Sequence, residues 1–212
     1  MYKRQWEIRS GNDGIWSVVD GVIDCNPRAD LPGDNSLWST ESFGDFVLHA
    51  EWRIKETKGV YPMPVVLPDG SEDKDDDGDT IVQMRPNADS GIYLRGSSKS
   101  QVNIWCWPVG SGEVYGYRTD ATMPSNVRAG VTPEMNADHP VGEWNTFVIT
   151  MRGNLLTVEL NGHIVIENAP LPGVPTEGPI ALQHHGGYDA ESEKWNPASS
   201  LVQFRNLYIK SL

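Results

Sequence analysis

The sequence predicts an all-β protein in which two antiparallel sheets pack face to face as a sandwich. Its 212 residues include 21 Gly and 15 Pro, which separate short apolar runs and leave no long stretch with helical spacing. Several of these runs alternate apolar and polar residues, as half-buried strands do. Neither a linker nor an internal repeat divides the chain, so we predict one domain spanning residues 1–212.

Two hairpins are predicted from their turns. Asp20-Gly21 and Asn161-Gly162 are two-residue turns of the kind that closes a hairpin. The strands that they join are Trp16–Val19 with Val22–Cys25, and Leu155–Leu160 with His163–Glu167. Further strands are predicted at Phe46–Ile54, Gly91–Arg95, Val102–Trp107, Trp144–Met151, Ile180–Gln183 and Leu201–Ile209. Residues 55–89 and 108–142 are predicted to be long loops, which are usually functional or disordered.

Alternation within the strands separates a core face from a wet face, because residues i and i+2 of a strand point to the same side. The predicted core residues are Phe46, Leu48, Ala50, Trp52, Ile54, Ile92, Leu94, Val102, Ile104, Cys106, Ile180, Leu182, His184, Val202 and Phe204. The predicted wet positions are His49, Glu51, Arg53, Tyr93, Arg95, Gln101, Asn103, Trp105, Trp107, Gln183, His185, Gln203 and Arg205.

The wet positions carry Trp, Tyr, Arg, His, Gln and Asn, where an ordinary solvated sheet would carry Lys, Glu, Thr and Ser. Flat aromatic rings suit the C–H faces of sugars, and planar groups with several donors suit their hydroxyls. We therefore predict a sugar-binding groove on this face. The alternative is that Trp105 and Trp107 pack beneath a loop.

Charge excludes several classes of function. The net charge is −12, and the segment 69–79 (DGSEDKDDDGD) supplies half of it with seven acids and one lysine. A chain this acidic, without a basic stripe, predicts no binding of nucleic acid and no insertion into membranes. Phosphate loops, G-x-S-x-G, HExxH and paired C-x-x-C motifs do not occur. The oligomeric state stays open.

Cys25 and Cys106 do not decide the compartment, because two cysteines fit either one disulfide or two buried free thiols. The opening MYKRQWEIRS lacks the apolar run of a signal peptide. We expect a secreted or periplasmic protein whose leader is not part of this chain.

Seven segments resemble a bacterial family of 3-keto-disaccharide hydrolases. They are WSVVDGVID, DFVLHAEWR, NADSGIYLRG, GEWNTFVITMRGN, TVELNG, GPIALQHHGG and VQFRNLYIK. The resemblance runs from about Trp16 to Leu212 and implies the concanavalin A-like lectin/glucanase fold, a jelly roll. The family's usual Phe-Asn-Gly opening is missing, which indicates a truncated or divergent N-terminus.

The family's name implies cleavage of a glycosidic bond in a sugar already oxidised at C3. The 3-keto group acidifies the C2 hydrogen, so a base can remove it and the C1 substituent leaves by elimination, after which water adds. This chemistry needs a base near C2, a partner for the developing enolate, and a proton for the leaving oxygen.

The resemblance also implies individual site residues. SGIYLRG gives Arg95, AEW gives Glu51, GEVYG gives Tyr115, QHHG gives Gln183 and His185, and FRN gives Arg205 and Asn206. One departure matters, because many relatives have Glu-x-Gln where this chain has Gln101-Val102-Asn103. An amide cannot act as an acid or a base, so another residue must take that role if it is filled.

Four residues are the catalytic candidates. His185 would transfer protons or bind a metal, or is a hydrogen-bonded structural histidine. Glu51 would be a base or a metal ligand, unless it forms a surface ion pair with Arg53. Arg95 would anchor sugar hydroxyls or an enolate oxygen. Glu113 would replace the missing carboxylate, or is a solvent-facing loop acid.

The acidic segment is a candidate metal site. Asp73, Asp75 and Asp77 with Gly78 have the spacing at which an EF-type loop begins to wrap Ca²⁺. The twelfth position is Met84 instead of Glu, which excludes a complete EF-hand. A weak calcium loop and a solvated acidic loop both remain open. No cofactor is certain; the candidates are calcium here or a divalent metal near His185.

The leading hypothesis is an enzyme that cleaves 3-keto-glycosides, and its partner is a small carbohydrate. The alternatives are a non-catalytic, lectin-like carbohydrate-binding module and a structural interaction domain, between which fold alone cannot choose. The expected sugar contacts are His49, Asn103, Trp105, Trp107, Tyr115, Gln183 and Arg205. We predict that one concave face carries His49, Glu51, Arg95, Asn103, Trp105, Gln183 and His185.

Overall fold

A computed structural model describes residues 5–212 and confirms the all-β sandwich. The smaller sheet has five strands in the described range, in the spatial order β1 (Trp6–Ile8), β4 (Leu37–Phe43), β13 (Gly178–Leu182), β8 (Asp89–Leu94) and β9 (Ser97–Trp105). The larger sheet has seven there, in the order β12 (His163–Pro170), β11 (Leu155–Leu160), β10 (Asn145–Arg152), β5 (Phe46–Ile54), β16 (Val202–Ser211), β3 (Val22–Cys25) and β2 (Trp16–Val19).

The inward faces of the two sheets form one hydrophobic core. The predicted core positions of β5 are all buried, with exposures between 0 % and 6 %. Their counterparts in β8, β9 and β13 are Ile92, Leu94, Val102, Ile104, Ile180 and Leu182, and these belong to the same buried cluster. Period-two alternation therefore predicted the buried face of each strand correctly.

The long segments predicted as loops contain regular structure. Residues 55–89 hold the hairpin β6 (Val60–Pro64) and β7 (Val82–Pro86), and residues 108–142 hold two helices, α1 (Tyr115–Arg118) and α2 (Ser125–Gly130). Another small hairpin joins β14 (Tyr188–Asp189) to β15 (Lys194–Trp195). Among residues 5–212, no helix is long and apolar enough to cross a membrane.

The outward faces of the two sheets lie on opposite sides of the sandwich, so the prediction of one shared face is wrong. His49 and Glu51 project from β5 in the larger sheet, whereas Asn103 and Trp105 belong to β9 in the smaller one. Alternation identifies the outward residues of each strand but does not say which sheet the strand joins.

Arg95 does not lie on a wet face, because the chain turns away from the sheet directly after β8. It has a left-handed φ of 50° and is 2 % exposed. Its guanidinium donates hydrogen bonds to the carbonyl oxygens of Gly44, Gly153 and Pro175, at 2.6–3.1 Å, and to the Asp45 carboxylate at 2.9 Å. Arg95 therefore ties loops together at one end of the sandwich and is unavailable to a sugar.

We predict that Arg95→Ala lowers the free energy of unfolding by about 2–4 kcal/mol, because three carbonyls lose a buried donor. Arg152→Ala is the matched control, since Arg152 is exposed, and it should change stability by no more than about 0.5 kcal/mol. Urea denaturation of both variants measures the difference. Equal stability of the two variants would contradict this role for Arg95.

Candidate functional site

The candidate site is the outward face of the smaller sheet, where strand pairing sets neighbouring side chains in rows. Residues directly opposite each other in an antiparallel pair project to the same face, with Cβ atoms about 4.5–5.5 Å apart. The pairs on this face are Asp89 with Trp105, Gly91 with Asn103, and Tyr93 with both Gln101 and Ala181. Gln183 joins the middle row through its backbone N–H, which donates to the Gly91 carbonyl at 2.9 Å.

Asp89, at the start of β8, is the most perturbed acid on this face. Its side chain is half-buried, and burial raises its pKa from 3.8 to about 6, a shift that the nearby His185 opposes. A carboxyl group with this pKa can exchange a proton close to neutral pH, as an acid–base catalyst must.

His185 lies beside Asp89 on the loop that follows β13. The Ser200 hydroxyl joins the two residues, since it donates to the Asp89 carbonyl at 2.6 Å and accepts from the His185 backbone N–H at 2.7 Å. The ring Nδ1 is 2.6 Å from the Ala198 carbonyl oxygen. A carbonyl can only accept, so Nδ1 carries the hydrogen and Nε2 of the neutral ring holds the lone pair.

Two glutamine amides fill the middle of the site. Gln101 Nε2 donates to Gln183 Oε1 at 2.6 Å and lies 3.0 Å from the Ser90 carbonyl. The same Gln183 amide is 3.2 Å from Asp89 Oδ1. A protonated Asp89 can donate to Gln183 Oε1. A rotated Gln183 amide can donate to an ionised Asp89, but its NH2 group then faces Gln101 Nε2, so the hydrogen bond from Gln101 is lost. A partner thus exists for both protonation states.

Gly91 makes room for this arrangement. A Cβ at this position would lie 2.4 Å from Gln101 Nε2, well inside van der Waals contact. A larger residue would displace the Gln101 side chain from the Gln183 amide.

Tyr93 supplies a hydroxyl at the next row. Burial, then the charges of Asp34 and Asp89, raise its pKa to about 12, an effect that the polar side chains of Gln183 and Ser36 oppose. The phenol therefore stays protonated at neutral pH and can donate a hydrogen bond to an oxygen that gains negative charge.

An aromatic wall, formed by Trp105, Trp107 and Tyr115, borders Asp89. The Trp105 and Trp107 rings stack with centroids 4.2 Å apart and planes 3° apart, and the Tyr115 ring meets both edge-on at 6.0 Å. Trp105 is 4 % exposed and its indole N–H donates to the Gly110 carbonyl at 2.8 Å. Trp105 is thus the buried base of the wall, and the half-buried Trp107 and exposed Tyr115 reach the surface.

Four predicted site residues, His49, Glu51, Arg205 and Asn206, lie on the other side of the molecule. On the outward face of the larger sheet, Arg205 Nε donates to Glu51 at 2.6 Å and Asn206 Nδ2 donates to it at 2.8 Å. These hydrogen bonds, with that of Asn206 the larger effect, lower the pKa of Glu51. His49 Nδ1 lies 3.0 Å from the Asn206 carbonyl oxygen. The structure therefore separates His49, Glu51 and Arg205 from Asp89 and His185.

Glu113 is neither a solvent-facing acid nor part of the site. Its side chain is fully buried and forms an ion pair with Arg118. Its carbonyl accepts a hydrogen bond from the Asn103 backbone N–H at 3.0 Å, along the free edge of β9. Glu113 therefore holds the segment that covers β9, and Asn103 is itself only 3 % exposed.

The acidic segment forms a self-contained turn. The Asp75 carboxylate accepts hydrogen bonds from the backbone N–H groups of Asp77 and Asp79 at 3.0 and 2.9 Å, while Asp73 accepts one from Lys74. Within residues 5–212, no group of three or more His, Cys, Asp or Glu side chains is placed to hold a metal ion, here or near His185. The predicted ligand set of Asp73, Asp75 and Asp77 is therefore not assembled.

His184 and the two cysteines have structural surroundings. His184 Nε2 accepts the Arg28 backbone N–H at 3.1 Å, and burial, with a smaller effect of His185, lowers its pKa to about 4. Cys25 is buried and Cys106 half-buried, and both are free thiols. Burial raises the pKa of both, that of Cys106 to about 12, so neither is a reactive thiolate.

Sequence reasoning missed Asp89 because residues 55–89 were assigned to a loop. A signal was present, since Asp89, Gly91 and Tyr93 have the i, i+2, i+4 spacing of one strand face. Extending the predicted strand by two residues would have placed Asp89 beside Tyr93 on the wet side.

The sandwich and this polar, aromatic face define a carbohydrate-active protein of glycosyl hydrolase type. The family model of 3-keto-alpha-glucoside-1,2-lyase-like domains matches residues 3–210, so the chain belongs to that family. A comparison with curated protein sequences found no match.

Solved structures share the fold. Two proteins from Parabacteroides distasonis ATCC 8503, provisionally assigned as glycosyl hydrolases, are each 20 % identical to this chain and cover 98 % of it. The match covers 79 % of one, with a TM-score of 0.56, and 100 % of the other, with a TM-score of 0.55. A third structure comes from work on endo-acting O-glycanases that members of the human gut microbiota express to initiate mucin breakdown. It is 13 % identical to this chain, and the match covers 99 % of this chain and 93 % of that structure, with a TM-score of 0.56. At these identities the likeness establishes the fold.

We predict that Asp89→Asn stabilises the protein more at pH 7.5 than at pH 4. The folded-state pKa of Asp89, about 6, lies above its ordinary 3.8, so ionisation costs stability as pH rises between these values, and the cost persists above pH 6. The amide carries no such cost, and the gain at pH 7.5 should exceed that at pH 4 by about 1–3 kcal/mol.

Packing changes caused by the substitution are present at both pH values and cancel in this comparison. Denaturant unfolding of both proteins at the two pH values measures it. A stability difference independent of pH would mean that Asp89 titrates normally.

Proposed function

We propose that the protein cleaves 3-keto-glycosides by elimination, with Asp89 and His185 as its acid–base pair. The observation that carries this proposal is the half-buried Asp89 carboxyl, with a pKa of about 6, beside an imidazole whose Nδ1 is fixed by the Ala198 carbonyl. The protonated carboxyl can give a proton, and the lone pair of Nε2 can take one.

The family to which the chain belongs supports the substrate class. In the proposed first step, His185 Nε2 takes the C2 proton of the keto sugar, and the electron pair of the C–H bond forms the enolate of C2 and C3. The Tyr93 hydroxyl and the Gln183 amide are the donors that can stabilise the enolate oxygen.

In the second step the enolate electrons re-form the ketone and create a double bond between C1 and C2. The C1–O bond breaks, and its electron pair takes the proton of Asp89, so the leaving group departs as an alcohol. Water then adds, with its hydroxyl going to C1 and its proton to the Asp89 carboxylate. His185 returns its proton to C2, which restores both residues.

Asp89 can also take the place of the carboxylate that many relatives have where this chain has Gln101. The expected carboxylate is absent from β9, yet Asp89 on the adjacent strand β8 places a carboxyl group on the same face, with the Gln183 amide in contact with both side chains. The proposed mechanism therefore needs no carboxylate at position 101.

We predict that Asp89→Asn and His185→Ala each lower turnover of a 3-keto-α-glucoside by about 10²–10⁴-fold, the usual effect of losing a general acid or base. Glu51→Gln is the control, because Glu51 lies on the opposite side of the sandwich, and its rate should stay within about threefold of the parent. Release of the leaving alcohol measures the rate.

The parent must act on the 3-keto-glycoside and not on the unoxidised sugar, since only the ketone acidifies C2. Full turnover by either site variant would remove that residue from the mechanism. An inactive parent that still binds sugars would replace this proposal with the lectin-like alternative.

A further inference from the structure

A cavity of about 400 Å³ opens at one edge of the sandwich, between β1 and β4 of the smaller sheet and β3 and β16 of the larger one. We call it the seam cavity. β16 pairs with β3 only at Gln203 and Phe204, and its pairing with β5 then shifts register between Arg205 and Tyr208. The pairing of β4 with β13 shifts register as well. β-Bulges produce such shifts and are over-represented next to active sites, where they end strand pairing.

The floor of the seam cavity is the hydrophobic core. Ile23, Leu48 and Ile180 line the cavity and belong to the buried core cluster, while the half-buried Leu207 and Ile209 form part of its wall. A cavity that reaches the core and stays open to solvent leaves apolar surface hydrated, which is unfavourable. A ligand with an apolar body would cover this surface, and the cavity volume lies in the range of small-molecule sites.

The charges at the mouth of the seam cavity are unbalanced. Asp20, on the turn between β2 and β3, and Glu41, on β4, line the cavity and are both exposed. Neither forms an ion pair within residues 5–212. Arg205 is the one basic residue of the described chain that lines the cavity, and its Nε donates to Glu51 at 2.6 Å, so its charge is already matched. Two negative charges therefore remain without a cation in the described part of the chain.

We propose that the seam cavity binds a small organic cation, with an apolar body against the floor and an ammonium group at the mouth, facing Asp20 and Glu41. Two carboxylates attract an ammonium group and repel a ligand carboxylate. At the exposed mouth the ammonium group keeps part of its hydration, so binding does not require its full desolvation. The aromatic residues Trp6 and Tyr208 also line the cavity, and aromatic rings attract cations.

The seam cavity is separate from the proposed acid–base pair. Asp89, His185 and Gln183 are not among the residues that line it. The proposal therefore does not rest on the cleavage of 3-keto-glycosides, and it adds a second ligand of a different chemical class.

Three ligands with one apolar body and different charges test the proposal. 4-Phenylbutylammonium, 4-phenylbutanol and 4-phenylbutanoate carry a positive, a neutral and a negative head at neutral pH. In calorimetry the parent should bind the ammonium compound about 3–20-fold more tightly than the alcohol, the range expected for two exposed charge pairs. It should bind the carboxylate more weakly than the alcohol. Added salt should reduce both differences, since exposed charges are screened.

Neutral substitutions at the mouth identify the carboxylates. Asp20→Asn keeps the hairpin, because Asn-Gly closes a two-residue turn as Asp-Gly does, and Glu41→Gln keeps the shape of the side chain. The double variant should bind the ammonium compound and the alcohol within about twofold of each other, with the affinity for the alcohol within about twofold of the parent. Glu167→Gln is the matched control, since Glu167 is exposed on β12, at the far edge of the larger sheet, and this variant should keep the ratio of the parent.

A second variant tests the cavity separately from its charges. Leu207→Trp enlarges a side chain of the wall, so it should occupy the cavity and lower the affinity for the ammonium compound and the alcohol by about tenfold or more. Ile164→Trp is the control, because Ile164 is 49 % exposed on β12, and it should leave both affinities unchanged.

A parent that binds none of the three ligands, or that binds the ammonium compound and the alcohol equally, would overturn the proposal. So would a preference for the cation that survives the double substitution or disappears in Glu167→Gln. A parent that is inactive on 3-keto-glycosides but shows the Asp20- and Glu41-dependent preference would support the seam cavity and contradict the proposed function alone.

Discussion

Burial of the two apolar sheet faces against each other is the constraint on which this protein depends. Removing apolar surface from water is the main force that holds a sandwich together, and it requires every second residue of each strand to point inward. The intervening residues are then forced outward, on one side or the other of the molecule. The candidate site is one of these two outward faces, so its composition follows from the packing of the core.

The strand β8 shows how one short element serves structure at one end and chemistry at the other. At its end, Leu94 leads into Arg95, whose buried guanidinium satisfies three backbone carbonyls. At its start, the half-buried Asp89 lacks a cationic partner of that kind, and its pKa rises accordingly. A group whose ionisation is costly in the folded state is destabilising, and such groups are typical of functional sites.

Polarity alone does not distinguish the two outward faces, because both carry histidine and aromatic residues. On the larger sheet the charges satisfy each other. Glu51 accepts from Arg205 and Asn206, and the guanidinium groups of Arg53 and Arg205 lie 4.7 and 3.9 Å from the Trp144 ring centroid. On the smaller sheet Asp89 is held with a raised pKa, next to a histidine nitrogen that is free to act. The balance of partners, and not the residue types, marks the site.

The sequence by itself determined the class of fold, the strands with clear alternation, the inward residues and the family. These features depend on local periodicity and on turn chemistry, which are readable without knowing how distant strands meet. It also placed His185, Gln183, Trp105 and Trp107 on outward positions. Only the tertiary structure decided that Glu51, His49 and Arg205 belong to the other sheet, that Arg95 and Glu113 are buried in ion pairs, and that Asp89 lies between His185 and Trp105. Strand order and register are set by long-range packing, which carries no signal in the local pattern of residues.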